Sequence, residues 1–223
     1  MRQTQFQGVF EIRKKSGSIL LTKNLVPGRT VYSEKLFREG NEEFRDWDPR
    51  RSKLGAGIFK DIKEIGIKPG DFVLYLGAST GTTASHVSDI VGENGFVFAL
   101  DFAPRVVRNL VYVCEVRKNM TPLLADANRP ESFAQFVCPV DVVYMDIAQR
   151  NQTEIFLKNV DLFLKRGGFA ILALKARSVD VTRDPASIFK QVRIELSQKV
   201  DIVDEKYLGP FEKDHSLFVC RKR

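Results

Sequence analysis

Short runs of apolar residues alternate with amphipathic stretches over most of this chain. Phe72 to Leu76, Phe96 to Leu100, Pro122 to Ala125, Val140 to Met145 and Phe169 to Leu174 are apolar runs with few polar interruptions, the pattern of strands buried on both faces of a parallel sheet. Between them, Val107, Leu110, Val111 and Cys114 recur at helical spacing on one face, as do Phe156, Val160, Phe163 and Leu164. A helix around Ile188 to Leu196 and two late strands, Asp201 to Tyr207 and Ser216 to Cys220, follow. Upstream, Asp48-Pro49 reads as a helix entry, and Leu54, Ile58, Ile62 and Ile65 form a helical face that ends at Gly66. This alternation predicts an open, doubly wound α/β sheet with helices on both faces.

The first 50 residues follow a different pattern. Val9 to Ile12 and Ile19 to Thr22 are β-type runs joined by the basic turn Lys14-Lys15-Ser16-Gly17, a hairpin. A second turn is expected at Val26-Pro27-Gly28, then a strand within Thr30 to Phe37, then a polar stretch from Arg38 to Arg51 that holds the lone Trp47. Residues 1–50 are thus expected to form a small antiparallel sheet bearing Arg13, Lys14, Lys15, Lys23 and Arg29, and residues 51–223 the larger α/β domain.

Composition narrows the picture. With 223 residues, 43% hydrophobic and 28% charged, the chain is too apolar for intrinsic disorder and can bury a substantial core. No apolar run approaches the ~18 residues of a membrane helix, and Met1 to Phe10 lacks a signal-peptide core, so a soluble, cytoplasmic protein with no membrane partner is expected. Thirty-five Lys and Arg against 28 Asp and Glu leave a charge of +7, which favours a polyanionic partner. Cys114, Cys138 and Cys220 are widely spaced and odd in number, so they read as core thiols, not as disulfides or metal ligands.

In doubly wound sheets, ligands bind beyond the carboxyl ends of the strands. Leu76-Gly77-Ala78-Ser79-Thr80-Gly81-Thr82-Thr83 is a glycine-containing turn into a helix, yet it is neither G-x-G-x-x-G nor a phosphate loop. Asp101 ends the second strand, where a carboxylate can hold ribose hydroxyls, and Asp126 ends the third. The ordered set fits S-adenosylmethionine, a nucleoside with no phosphate, although each acid alone could equally be a local cap. Asp146 ends the fourth strand and Lys175 the fifth, so a half-buried Lys175–Asp146 pair is expected at the ligand face, as a structural ion pair or with the lysine serving as a base.

These residues resemble the fibrillarin family, the 2′-O-methyltransferases of box C/D guide-RNA particles. The most specific stretches are Trp47 to Leu54, Leu76 to Ile90, Asp146-Ile147-Ala148-Gln149, and Pro210 to His215. With only 15 glycines the chain resembles the short archaeal form. The resemblance implies a methyltransferase sheet whose last strand is antiparallel, behind a small N-terminal β domain. It implies a catalytic set at Lys53, Asp146, Lys175 and His215. It implies cofactor contacts at Tyr75, Gly77, Ala78, Thr82, Thr83, Asp101, Phe102, Asp126, Ala127, Asp146, Ile147, Ala148 and Gln149, with S-adenosylmethionine as cofactor and no metal. Asp48, Asp101 and Asn128 depart from the family pattern, which usually has asparagine, glutamate and arginine there. The implied partners are a box C/D guide RNA with its target rRNA or tRNA, a Nop-type scaffold protein, and a kink-turn-binding protein.

The expected chemistry is removal of a proton from a ribose 2′-hydroxyl as it attacks a sulfonium methyl in line. Lys175 is expected to take the proton and Lys53 to raise the local positive potential. Asp146 would orient the amine, and His215 would serve as scaffold or relay. A small-molecule or protein methyltransferase, which would not need the two lysines, and a noncatalytic RNA-binding subunit are the competing readings. His86 and Trp47 are expected to be packing residues, and Arg221-Lys222-Arg223 a solvated tail that could add to an RNA face.

Overall fold

A computed structural model describes residues 1–14 and 17–223. Five short strands come first: β1 (Arg2–Gln3), β2 (Val9–Lys14), β3 (Gly17–Lys23), β4 (Leu36–Glu39) and β5 (Glu42–Asp46), antiparallel in the order β1-β2-β3-β5-β4. The expected β2–β3 hairpin is present, with Val9 opposite Thr22. Lys15 and Ser16 of its basic turn lie outside the described residues. The Val26-Pro27-Gly28 turn closes with Arg29 N–H donating to Val26 O at 3.1 Å, and Gly28 takes φ +78°, which glycine does without strain.

Two expectations for this region need correction. Thr30 to Lys35 is not strand, because the Glu34 carboxylate accepts from the N–H groups of Val31 and Tyr32 and so replaces a strand partner there. The polar stretch conceals β5, whose Glu43, Phe44 and Arg45 are all buried; an alternation signal fails when the inward residues are charged and paired.

The second sheet is built as the apolar runs predict. The elements are α1 (Lys53–Phe59), β6 (Phe72–Leu76), α2 (Thr82–Val91), β7 (Phe96–Asp101), α3 (Pro104–Glu115), β8 (Met120–Leu124), β9 (Val140–Met145), α4 (Gln152–Phe163), β10 (Leu164–Lys175), α5 (Ala176–Val179), α6 (Pro185–Ser197), β11 (Val200–Tyr207) and β12 (His215–Lys222). Strand order is β11-β12-β10-β9-β6-β7-β8, parallel from β8 to β10, with β12 antiparallel between β10 and β11. Alternate residues go to opposite faces. Val73 and Tyr75 share a core with Val87 and Ile90 of α2, while Leu74 and Leu76 join Phe156 and Val160 of α4. Phe6, Val9, Leu20 and Trp47 belong to the first of these cores, so the N-terminal sheet is packed onto the α2 side of the larger one.

The first helix is shorter than its apolar period. Ser52, not Asp48, is its N-cap, accepting from Gly55 N–H at 3.2 Å, and the helix stops at Phe59. There Ile62 N–H donates to Gly57 O and Asp61 N–H to Ile58 O, with Asp61 at φ +55°, a left-handed helix ending. Ile62 and Ile65 stay buried beyond it. The third strand of the alternation begins two residues early, at Met120. Leu164 opens β10 instead of closing α4. Val111 is 37% exposed, off the buried face of α3. Of the three thiols only Cys220 is buried; Cys114 is half-buried and Cys138 exposed. Nor are the last residues a free tail: the Lys222 amine donates to the carbonyls of Val160, Asp161 and Leu164 at the end of α4, and Arg223 pairs with Asp201.

A buried polar network joins the two sheets. Arg45 of β5, fully buried, reaches Glu34 at 2.6 Å, Asp89 at 2.8 Å and Ser85 at 2.9 Å. Arg117 holds the other Asp89 oxygen at 2.7 Å. His86, also fully buried, lies 2.7 Å from both the Thr22 and Tyr32 hydroxyls and stacks on Trp47 with centroids 4.9 Å apart. Both residues are packing residues, as expected. The Tyr32 hydroxyl donates to Asp46 O at 2.7 Å, which makes His86 Nε2 the donor to Tyr32.

Burial, with Arg45 and Arg117 nearby, holds His86 well below the ordinary histidine value. His215 is shifted the same way, again mainly by burial. A histidine depressed in the folded state contributes stability that is full above its unfolded value of ~6.5 and is lost as pH falls toward the folded value. The chain has two histidines, so both act with this sign. Asp46 and Asp71 are raised by burial and act in the opposite sense at lower pH. Unfolding free energy is therefore expected to decline between pH 6.5 and 5.5, by up to ~1.4 kcal/mol per histidine per pH unit. Urea unfolding at pH 7.5, 6.5 and 5.5 measures this; a flat profile across the lower interval contradicts it.

Candidate active site

Strand order reverses at β6, with β7 and β8 added on one side of it and β9 and β10 on the other, and a cleft opens at the carboxyl ends of β6, β7 and β9, as is usual at such a reversal. After β6 the backbone turns at Gly77, φ +83°, with the N–H groups of Gly77 and Ala78 both donating to Leu100 O. A Cβ at Gly77 would stand 2.2 Å from Asp146 O, so only glycine lets β6 and β9 close up there. Gly81, φ +92°, starts α2.

Nine of the thirteen predicted cofactor residues line this cleft: Gly77, Asp101, Phe102, Asp126, Ala127, Asp146, Ile147, Ala148 and Gln149. Asp101 accepts from Ser79 N–H at 2.9 Å and Ala103 N–H at 3.1 Å, one on each oxygen. A carboxylate has about four acceptor positions, so half of its capacity remains. Asp126 accepts from Asn128 N–H at 2.9 Å. Neither acid caps a helix, although both cap local backbone. Phe102 is 65% exposed, an aromatic face offered at the rim.

The other four predicted residues do not line the cleft. Ala78 and Thr83 are buried and Thr82 half-buried, and Thr83 Oγ1 donates to Ser52 Oγ at 3.0 Å. Tyr75 is buried against Tyr144, ring centroids 4.4 Å apart, and burial raises both phenols well above their ordinary values. Leu100 and Ile155 line the cleft without having been predicted, as does Asn128; the first two carry no signal beyond being apolar. At Asp48, a second departure from the family pattern, the side chain accepts from Arg50 N–H at 2.9 Å, a bond an asparagine oxygen also makes. A wider groove lined by Lys63, Lys68, Asp141 and Lys165 lies at the amino ends of the strands, away from all these residues.

The four predicted catalytic residues come to the same end of the sheet from separate elements. Lys53 opens α1, Asp146 follows β9, Lys175 ends β10, and His215 starts β12 directly opposite Lys175. One expectation is corrected: the ion pair of Asp146 is with Lys53, at 2.9 Å, not with Lys175. Strand adjacency fixes neighbouring Cα positions, but the first residue of α1 reaches the carboxylate. Both partners are about one-fifth exposed. His215 Nδ1 lies 2.7 Å from Lys213 O, so this nitrogen is the donor. Burial, with the Lys53 cation nearby, holds the imidazole below its ordinary value. Among the described residues, no cluster of three or more His, Cys, Asp or Glu could hold a metal, and no helix is long and apolar enough to cross a membrane.

A glycine-cradled cleft with two carboxylates and an exposed aromatic ring can hold a nucleoside, and a lysine beside it can accept a proton. Comparison with known proteins points to one family. The family model described as Fibrillarin matches residues 1–223. The fibrillarin-like rRNA/tRNA 2′-O-methyltransferase of Pyrococcus horikoshii is 48% identical over 223 residues, covering 100% of this chain and 98% of that protein. The crystal structure of Aeropyrum pernix fibrillarin with natively bound S-adenosyl-L-methionine superimposes with a TM-score of 0.90 at 41% identity, covering 98% and 96% of the two chains. A crystallised fibrillarin/Nop5p complex gives 0.88 at 35% identity, covering both chains fully.

Proposed function

This chain belongs to the fibrillarin family, and from that premise we propose that it methylates ribose 2′-hydroxyls of rRNA and tRNA. S-adenosylmethionine is the methyl donor, and the chain is the catalytic subunit of a box C/D ribonucleoprotein. The observation that carries this reading is the meeting of Lys53, Asp146, Lys175 and His215 beside the glycine-cradled cleft.

The cleft residues suit the cofactor. Gly77 leaves room for close approach of a ligand to the backbone, Asp101 has acceptor capacity left for a ribose diol, and Phe102 offers an aromatic face for an adenine. When bound, the sulfonium supplies an electrophilic methyl group. Asp146 to Gln149 would hold the cofactor along one wall of the cleft, and Lys175 takes the proton from the ribose hydroxyl during attack. Lys53 neutralises Asp146 and keeps a cation beside the oxygen that develops negative charge. His215 holds the turn before β12 through Lys213 O, which makes it a scaffold for the strand facing Lys175.

Target choice is delegated to pairing with the guide RNA, since a +7 chain supplies phosphate attraction without base readout. A Nop-type scaffold protein and a kink-turn-binding protein complete the particle; the solved fibrillarin/Nop5p complex supports the first of these. The test is transfer of labelled methyl from S-adenosylmethionine to a short target RNA, with and without matching guide and both partners. Guide-dependent protection of one linkage from alkaline cleavage is expected. Silence in the complete mixture, with cofactor still bound, overturns the reading in favour of another methyl acceptor or a noncatalytic role.

A further inference from the structure

Gln152 is the first residue of α4 and is fully buried. A buried amide must find partners for both its ends, and here both are backbone groups of one residue. Gln152 Oε1 accepts from Lys175 N–H at 3.0 Å, and Gln152 Nε2 donates to Lys175 O at 3.1 Å. The side chain thus does for Lys175 what a neighbouring strand does elsewhere.

It is needed there because β9 ends too soon. The last β9–β10 partners are Met145 and Leu172, so beyond Leu172 this edge of β10 has no strand beside it. On the other edge Lys175 stands opposite His215, and Ala176 N–H donates to Asp214 O at 2.9 Å. Without Gln152, the Lys175 N–H loses its partner on this edge and the C=O, which as the N-cap of α5 also opens that helix, loses its side-chain donor, so the root of the lysine is held from the β12 and α5 sides alone. A lysine amine rides on a flexible four-carbon stem, so its root is the part the fold can fix. Gln152 also lies three residues after Gln149, the end of the cleft wall that begins at Asp146. A single amide therefore ties that wall to the root of the lysine.

We propose that Gln152 is a positioning residue for methyl transfer, whose side-chain amide brackets the Lys175 backbone and sets the amine relative to the Asp146–Gln149 wall. The inference rests on the assignment of Lys175 as the base. Its effect is on the rate of the bound complex: displacing a reacting group by about 1 Å can cost about 100-fold, whereas the cleft itself keeps all its lining residues.

The test uses the full chain assembled with guide RNA, target RNA and both partner proteins, comparing wild type, Lys175→Ala, Gln152→Met and Gln152→Glu. Methionine keeps the length and loses both hydrogen bonds; an ionised glutamate keeps the acceptor and loses the donor. At saturating S-adenosylmethionine and RNA, Gln152→Met is expected to be slower by about 10- to 100-fold. Gln152→Glu should fall between it and wild type, with the cofactor Kd of both variants changed by less than about threefold. Unchanged rates in both variants overturn the proposal. So does a deficit that disappears as cofactor is raised, since Gln152 would then only support the cleft wall. If circular dichroism shows Gln152→Met unfolded, Gln152→Glu decides by the same criteria. An active Lys175→Ala protein would overturn the assignment of the base itself, and with it this inference; an inactive one beside Gln152 variants of wild-type rate overturns the inference alone.

Discussion

Replacing Lys175 with alanine is expected to slow methyl transfer by about 100- to 10,000-fold, the range a positioned general base supplies. A ribose hydroxyl is a poor nucleophile until its proton leaves, so an acceptor is needed in the transition state and contributes little to the bound ground state. The cleft walls are built by other residues, and cofactor affinity should therefore be nearly unchanged while the rate collapses. Lys175→Arg separates two roles. Arginine keeps the positive charge but cannot give up its proton at any working pH, so it should be nearly as slow as alanine if Lys175 is a base, and largely active if only its charge matters. Single-turnover methylation in the assembled particle, with cofactor binding measured separately, reads both. An alanine protein that methylates at the wild-type rate removes Lys175 from the mechanism.

Asp89→Asn should be the most damaging single change to stability outside the apolar core. The Asp89 side chain is fully buried and accepts from Arg45, Arg117, the Thr22 hydroxyl and Leu25 N–H. With Glu34 it balances two buried arginines, and the asparagine variant leaves one of those cations unmatched. Breaking one side of a buried pair costs roughly 3–5 kcal/mol, a large share of the ~5–15 kcal/mol by which a domain is usually stable. Chemical unfolding at pH 7.5 measures the loss. The exposed Lys158–Glu154 pair on α4 provides the contrast, since pairs in solvent contribute little. If Lys158→Ala and Asp89→Asn destabilise equally, the network between the sheets does not have the role assigned to it.

The larger sheet was legible in the chain because burial on both faces leaves apolar runs that only a central strand explains. Phe72 to Leu76 and Val140 to Met145 match their strands end to end. The N-terminal sheet was half hidden for the opposite reason. β5 buries Glu43 and Arg45, charges that become acceptable inside through partners outside the strand, Asn24, Gly28 and Arg38 for the first and Glu34, Ser85 and Asp89 for the second, which no local pattern reports. The end of α1 was hidden by Asp61, which takes the left-handed position usually marked by glycine. At the site, strand-end position was enough to find Asp101, Asp126, Asp146 and Lys175. The resemblance was needed for Lys53 and His215, and neither source gave the pairing of Lys53 with Asp146 across 93 positions. Gln152 was invisible because a glutamine at a helix start looks like an exposed first-turn residue until the strand beside it is seen to stop.

Trp47 is the chain's single indole, and it lies fully buried and stacked on His86 at the seam between the sheets. Its fluorescence therefore comes from one place. The emission reports whether the N-terminal sheet is seated on α2, while far-ultraviolet dichroism reports the whole backbone. Because a protonated imidazole quenches a stacked indole more strongly than a neutral one, the same emission carries the ionisation of His86, giving an optical view of the seam with no label added.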